Sequence, residues 1–160
     1  LSNSMSIATP TDKIVYGILE AGEPYLRSII VRFDAIPDKG FSLHVKELSS
    51  LSDAPNIIPD TTCDNGSCTY STSAPWDNPL TYGFGYRCDN SKFCVGFSEK
   101  NIFRPFSNDQ LGQNYFPIGY VFSNLDDNIE TRMTYKVNVS ATQPASNYQN
   151  SAVLLAVPNL

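Results

Sequence analysis

Apolar residues recur at every second position through most of this chain, and a period of two is the mark of a half-buried strand. Helical spacing is almost absent, and eleven prolines spread from Pro10 to Pro158 leave little room for long helices. The chain is therefore confined to short extended runs joined by turns. In 25–34, Ile29, Val31 and Phe33 share one face while Ser28, Arg32 and Asp34 share the other. After the Pro37-Asp38-Lys39-Gly40 turn, Phe41, Leu43 and Val45 point inward, and Ser42, His44 and Lys46 are expected in water. In 131–139, Met133, Tyr135, Val137 and Val139 alternate with Arg132, Thr134, Lys136 and Asn138, which places Asn138 on the outer face. The run 148–157 is apolar at nearly every position after Ser151, as in a strand covered on both sides.

Segment 80–86 puts Leu80, Tyr82, Phe84 and Tyr86 on one core-facing side, with Gly83 and Gly85 opposite. Glycines at alternate strand positions permit another backbone or a ring to come close. Residues 49–79 look irregular and hold four prolines, and a connection of that length is expected to be functional or pinned. About eight short strands in 160 residues describe one all-β domain, a two-sheet antiparallel sandwich of Ig-like or jelly-roll-like type.

Residues 1–11 stand apart. Leu1, Met5 and Ile7 fall on one parity with Asn3 and Thr9, Ser2, Ser4 and Ser6 fall on the other, and Thr9-Pro10-Thr11 separates the run from residue 12 onward. This segment reads as a detached N-terminal strand on a short linker, with residues 12–160 forming the sandwich. The chain opens on neither Met nor a charged-then-apolar leader, so a leader, if one existed, has been removed or left out.

The four cysteines lie in polar, Asx- and Gly-rich loops in the middle of the chain. An even, clustered set of this kind reads as disulfides made in an oxidising compartment, whereas zinc favours tighter C-x2-C spacing. Of the three pairings that four cysteines allow, Cys63–Cys68 with Cys88–Cys94 closes two small loops already rich in turn formers.

Charge narrows the partners. Sixteen acidic against eleven basic residues give a formal net charge of -5, without a basic run to track phosphates. Nucleic acid and anionic membrane surfaces are therefore not expected partners. No run approaches the ~18 consecutive apolar residues of a membrane span. Catalysis is not expected either, because His44 is the one histidine and lies by parity on the solvated face, apart from any recognisable nucleophile or phosphate motif. Asp60, Asp64 and Asn65, and Asp126, Asp127 and Asn128, lack the spacing of a calcium loop and read as Asx turns, so no metal or cofactor is expected. Trp76 with Asp77 and Asn78 has the composition of a carbohydrate-stacking patch for a surface glycan, and Asn65 and Asn138 head glycosylation triplets.

The closing stretch TYKVNVSATQPASNYQNSAVLLAVPNL resembles the final hairpin of Ig-like β-sandwich modules in secreted, cell-surface-associated bacterial proteins. The likeness extends to APWDNPLTYGFGYRC and more weakly to IVYGILEAGEP. Such modules often carry Gly-Thr-Tyr after Gln-Pro-Ala, where this chain has Ser146-Asn147-Tyr148, a change of turn chemistry. The resemblance implies an exported structural or adhesive module and supplies no catalytic residue.

These features support two functional expectations. The first is a structural subunit of an extracellular, pilus-like filament in which Leu1, Met5 and Ile7 are donated to a neighbouring copy, since a strand added to an open sheet edge propagates as a homopolymer. The second is an adhesion or stalk module of a larger cell-surface protein, with residues 1–11 as its linker and the loops at 60–79 binding sugar. The state of residues 1–9 discriminates them.

Overall fold

The computed structural model describes residues 5–90, 92–123 and 128–160. Eleven strands succeed one another in this part of the chain: β1 (Ser6–Ala8), β2 (Tyr25–Asp34), β3 (Phe41–Glu47), β4 (Leu51–Asp53), β5 (Asn56–Ile58), β6 (Ala74–Pro75), β7 (Gly83–Cys88), β8 (Ile102–Phe103), β9 (Phe116–Val121), β10 (Asn128–Asn138) and β11 (Ala152–Pro158). Two single-turn 3-10 helices, Asp64–Gly66 and Asp109–Leu111, are the helical elements among the described residues.

One sheet has the order β1-β2-β10-β7 and the other β11-β3-β9, all antiparallel. Their inner faces carry the side chains that alternation assigns to the core. Val31 and Phe33 from β2, Phe41, Leu43 and Val45 from β3, Ile118 from β9, and Met133 and Val137 from β10 are all fully buried. Burying each such side chain contributes roughly 1.5–3 kcal/mol. Two aromatic groups fill the space between the sheets. Phe33, Phe41 and Phe93 meet pairwise at 4.7–5.6 Å, and Phe106 stacks on Tyr86 at 4.1 Å and on Phe84 and Tyr135 at 5.9 and 5.8 Å.

A second, smaller core lies on the other face of β7 and β10. It is built from Cys63, Cys68, Ala74, Trp76 and Phe103 around the β6–β8 pair. The two glycines of β7 make room for it: a Cβ on Gly83 would stand 2.7 Å from Thr61 Cα, and one on Gly85 would stand 2.9 Å from the Arg104 carbonyl oxygen. The expected close backbone approach is what these glycines serve.

This covering corrects several expectations about exposure. Asn138 is fully buried and donates from Nδ2 to the Thr81 carbonyl at 3.1 Å, so it does not present an outward glycosylation site. Thr134 and Lys136 are buried with it, and Lys136 Nζ donates to the Trp76 carbonyl while lying over the Trp76 and Phe103 rings at 4.7 and 5.1 Å. Phe84 and Tyr86 are core, but Leu80 and Tyr82 precede β7 and are exposed. Ser42 is buried and His44 half-buried, joined by a 2.9 Å hydrogen bond between Oγ and Nε2.

The final strand is a further correction. β11 is not covered on both sides; it forms an edge of its sheet, with Leu155 and Val157 about two-fifths exposed. Apolar content alone does not reveal whether a strand has a neighbour.

Candidate functional site

The two sheets close on one side and stay open on the other. On the closed side, the outer edge of β7 is met by Thr61, whose N–H donates to the Phe84 carbonyl, and by Arg104, which exchanges backbone hydrogen bonds with Tyr86. The outer edge of β9 is met by Phe93 and Val95, which pair with Tyr120 and Ile118. The disulfides Cys63–Cys68 and Cys88–Cys94, with Cα atoms 5.4 and 5.7 Å apart, pin the loops that provide these covers. Both pairings are those expected from the spacing.

On the open side, β1 covers only the last three residues of β2, through Ser6 opposite Asp34, Ile7 opposite Phe33 and Ala8 opposite Arg32. Continued in that register, Thr9 would face Val31 and Pro10 would face Ile30, but proline has no N–H to give the ladder. Pairing stops there, and the outer edge of Tyr25–Val31 has no strand beside it among the described residues. Across the gap, β11 pairs with β3 on one side and has no strand on its other among the described residues.

Between these two free edges lies an open groove of about 1280 Å³. Residues of 7–21 and of 140–152 line it, Ser140, Gln143, Asn147 and Gln149 among them, together with Ile29 of β2, Leu154 of β11, Ile58, Phe84, Tyr135 and Val139. The last four are core side chains seen from the side. Residues 9–21 run over the groove in irregular conformation, with Ile14, Tyr16 and Leu19 half-buried against the core and Val15 and Ile18 exposed. Arg27 Nη2 donates to the Tyr16 carbonyl at 3.2 Å, and the Glu20 N–H donates to the Tyr25 hydroxyl at 2.9 Å. Burial pushes the Tyr16 phenol well above the usual tyrosine range, with the Tyr135 phenol adding in the same direction.

The expected donor residues are therefore found in different places. Leu1 lies outside the described residues. Met5 is half-buried against the core, and Ile7 sits at the sheet edge on the groove side, 39% exposed. Residues 6–8 are not detached in the lone chain, because they add to its own β2. By sequence the run KIVYGIL over 13–19 is an extended segment leading through the Gly22-Glu23-Pro24 turn into 25–34; it joins no strand, and the alternation of Ile14 and Tyr16 is the signal that marks the side it buries.

The carbohydrate patch is not assembled. Trp76 is 1% exposed, packs edge-on against Phe103 at 5.7 Å and donates from Nε1 to the Thr81 carbonyl, so neither ring face is free for a sugar. Asp77 and Asn78 are exposed beside it, held in place by Asp64, whose carboxylate accepts from both of their N–H groups and from the Thr81 hydroxyl. Burial works against ionisation of Asp64, but these donors outweigh it and hold its carboxyl below the usual range. Asn65 is exposed at the tip of the Cys63–Cys68 loop, with φ 58°, a left-handed conformation that asparagine tolerates.

Comparison of the chain with known protein families, with curated proteins and with solved structures finds no match.

Proposed function

We propose that this chain is a structural subunit of an extracellular, cell-surface filament, assembled when residues 1–9 of one copy enter the groove of the next. The observation that carries this reading is the open side of the sandwich, where the mostly uncovered edge of β2 and the free edge of β11 flank, among the described residues, a groove into which core side chains open. An unpaired edge offers a row of N–H and C=O groups to any extended segment, and an apolar groove beneath it selects alternate apolar side chains. Residues 1–9 meet both requirements, having neither Gly nor Pro and carrying Leu1, Met5 and Ile7 on one parity. Release of β1 from its own sheet gives up three paired residues and lengthens the free edge of β2 to its full ten. Because donor and acceptor are different surfaces, the contact is heterologous and propagates. The two disulfides and the low share of charged residues, 17% against roughly 25% in soluble domains, support an oxidising, extracellular setting.

Deleting residues 1–9 tests the proposal. The expected product is a folded, soluble monomer that does not polymerise. Met5→Asp and Ile7→Asp should act nearly as strongly, because a charge in an apolar groove is costly to desolvate, while Ser4→Asp on the other parity should be tolerated. A full-length protein that stays monomeric in the ultracentrifuge at high concentration, or filaments that form unchanged after the deletion, would refute it.

A further inference from the structure

Resting on that reading, we infer that residues 12–21 are a built-in plug of the acceptor groove, which holds the lone subunit closed until an incoming strand displaces it. The segment fits the groove with its side chains and fails to fit it with its backbone. Ile14 and Tyr16 turn in against the core at alternate positions, as in an inserted strand, and Leu19 joins them after Gly17 breaks the alternation. Yet residues 12–19 make no backbone-to-backbone hydrogen bond to either free edge among the described residues. The segment thereby covers the groove without filling it: about 1280 Å³ of open space remains beneath and beside it, and the ladder positions of Tyr25–Val31 and of β11 stay unfilled among the described residues.

Three features keep the plug from becoming a strand. Pro10 breaks the register in which β1 begins, and Gly17 and Gly22 hold φ of 79° and 81°, so no extended run longer than Thr11–Tyr16 is available between them. The Tyr16 hydroxyl is buried without a hydrogen-bond partner among the described residues, a cost that the plug carries and an aliphatic donor side chain would not. Residues 1–9 suffer none of these interruptions. The competition is therefore between a local segment, favoured by its covalent attachment, and a better strand supplied by another molecule.

Such a plug has a use. A subunit with a bare groove and two bare edges is prone to indiscriminate pairing, whereas a displaceable cover restricts entry to segments that form a full ladder. The Glu20-Ala21-Gly22-Glu23 turn, closed by a weak 3.4 Å bond from the Glu23 N–H to the Glu20 carbonyl, is the hinge about which the plug leaves.

The test compares the full chain with Ile14→Ser/Tyr16→Ser, which weakens the plug and leaves both the donor residues and the edges of β2 and β11 intact. The readouts are affinity for a synthetic peptide of residues 1–9 and the rate of fibre growth by light scattering. The expected result is about tenfold tighter peptide binding by the double variant and faster growth, with the near-UV circular dichroism of the core unchanged. Equal affinity and equal rate in the two proteins overturn the plug and leave strand donation standing. Loss of fibre growth in a folded double variant also overturns it, since residues 12–21 would then be a donated element themselves. If neither protein binds the peptide or forms fibres, the filament reading falls and the plug falls with it. Should the double variant not fold, the wild-type chain is titrated with the peptide and the Tyr16 ring followed by NMR. Movement of its resonances to free-tyrosine positions is expected, and resonances that stay in place at peptide saturation overturn the inference.

Discussion

Asn150 Nδ2 donates to Glu47 Oε2 at 2.8 Å, tying the end of β3 to the residue that leads into β11 at the rim of the groove. The other carboxyl oxygen of Glu47 accepts from Asn108 Nδ2 at 3.1 Å, and Asn108 also reaches Asp60 and Ser50. Glu47 is fully buried. Burial, together with a hydrogen bond and charge repulsion from Asp60, pushes its pKa up to about 10, against the opposing donors Asn150 and Asn108.

That shift has a signed consequence for stability. A carboxyl whose folded pKa is raised favours the folded state most when protonated in both states, below about pH 4.5, and its contribution is lost as pH rises toward 10. The wild-type chain should therefore lose stability from pH 5 to pH 9, at up to about 1.4 kcal/mol per pH unit from this group. Glu47→Gln keeps the shape, cannot ionise, and should flatten most of that slope. Urea midpoints at pH 5, 7 and 9 for both proteins measure it, and parallel slopes would show that Glu47 is not the titrating group.

The two disulfide loops are short, and the stabilisation each provides is correspondingly small. Replacing both Cys63 and Cys68 by serine removes a five-residue separation closed within the smaller core, at a cost of about 2 kcal/mol in the chain-entropy account. Trp76 is the one tryptophan in the chain and lies in that core, so its fluorescence reports the loosening directly. An unfolding curve of unchanged midpoint with a red-shifted native emission would mean that the small core opens independently of the sandwich.

Gly85 has no room for a methyl group. An added Cβ would stand 2.7 Å from Thr61 Cγ2 and 2.9 Å from the Arg104 carbonyl oxygen, and the second contact is backbone. Gly85→Ala should cost roughly 1–3 kcal/mol by overpacking. Chemical denaturation measures it, with Ser98→Ala, exposed in the loop before β8, as the near-neutral comparison.

Leu154 and Leu155 are neighbours in β11 with opposite duties. Leu154 pairs with Val45 on the core side and rims the groove, whereas Leu155 pairs with His44 on the outer face. Leu154→Ser should slow fibre growth or peptide capture at least tenfold, while Leu155→Ser should leave both near the wild-type value. Light scattering with circular dichroism as a check of folding decides it, and equal effects at the two positions would place the acceptor elsewhere.

Alternation by itself determined the strands of the sandwich and their inner faces, because side chains on a pleated strand alternate whatever the strand pairs with. It assigned Val31, Phe33, Phe41, Leu43, Val45, Met133 and Val137 to the core, and cysteine spacing in turn-rich loops pointed to the observed disulfides. What alternation does not encode is which strand lies next to which, or what crosses over an outer face. Asn138 and Lys136 have the sequence of a solvated face and are buried because the segment from Cys63 to Trp76 and strand β8 fold back over it; Trp76 has the sequence of a sugar platform and is buried in that cover. β11 has the sequence of a central strand and lies at an edge. The groove exists because, among the described residues, β2 is covered by β1 over only three residues and β11 has no outer strand on the same side, a fact about pairings far apart in the chain that no local pattern of residues contains.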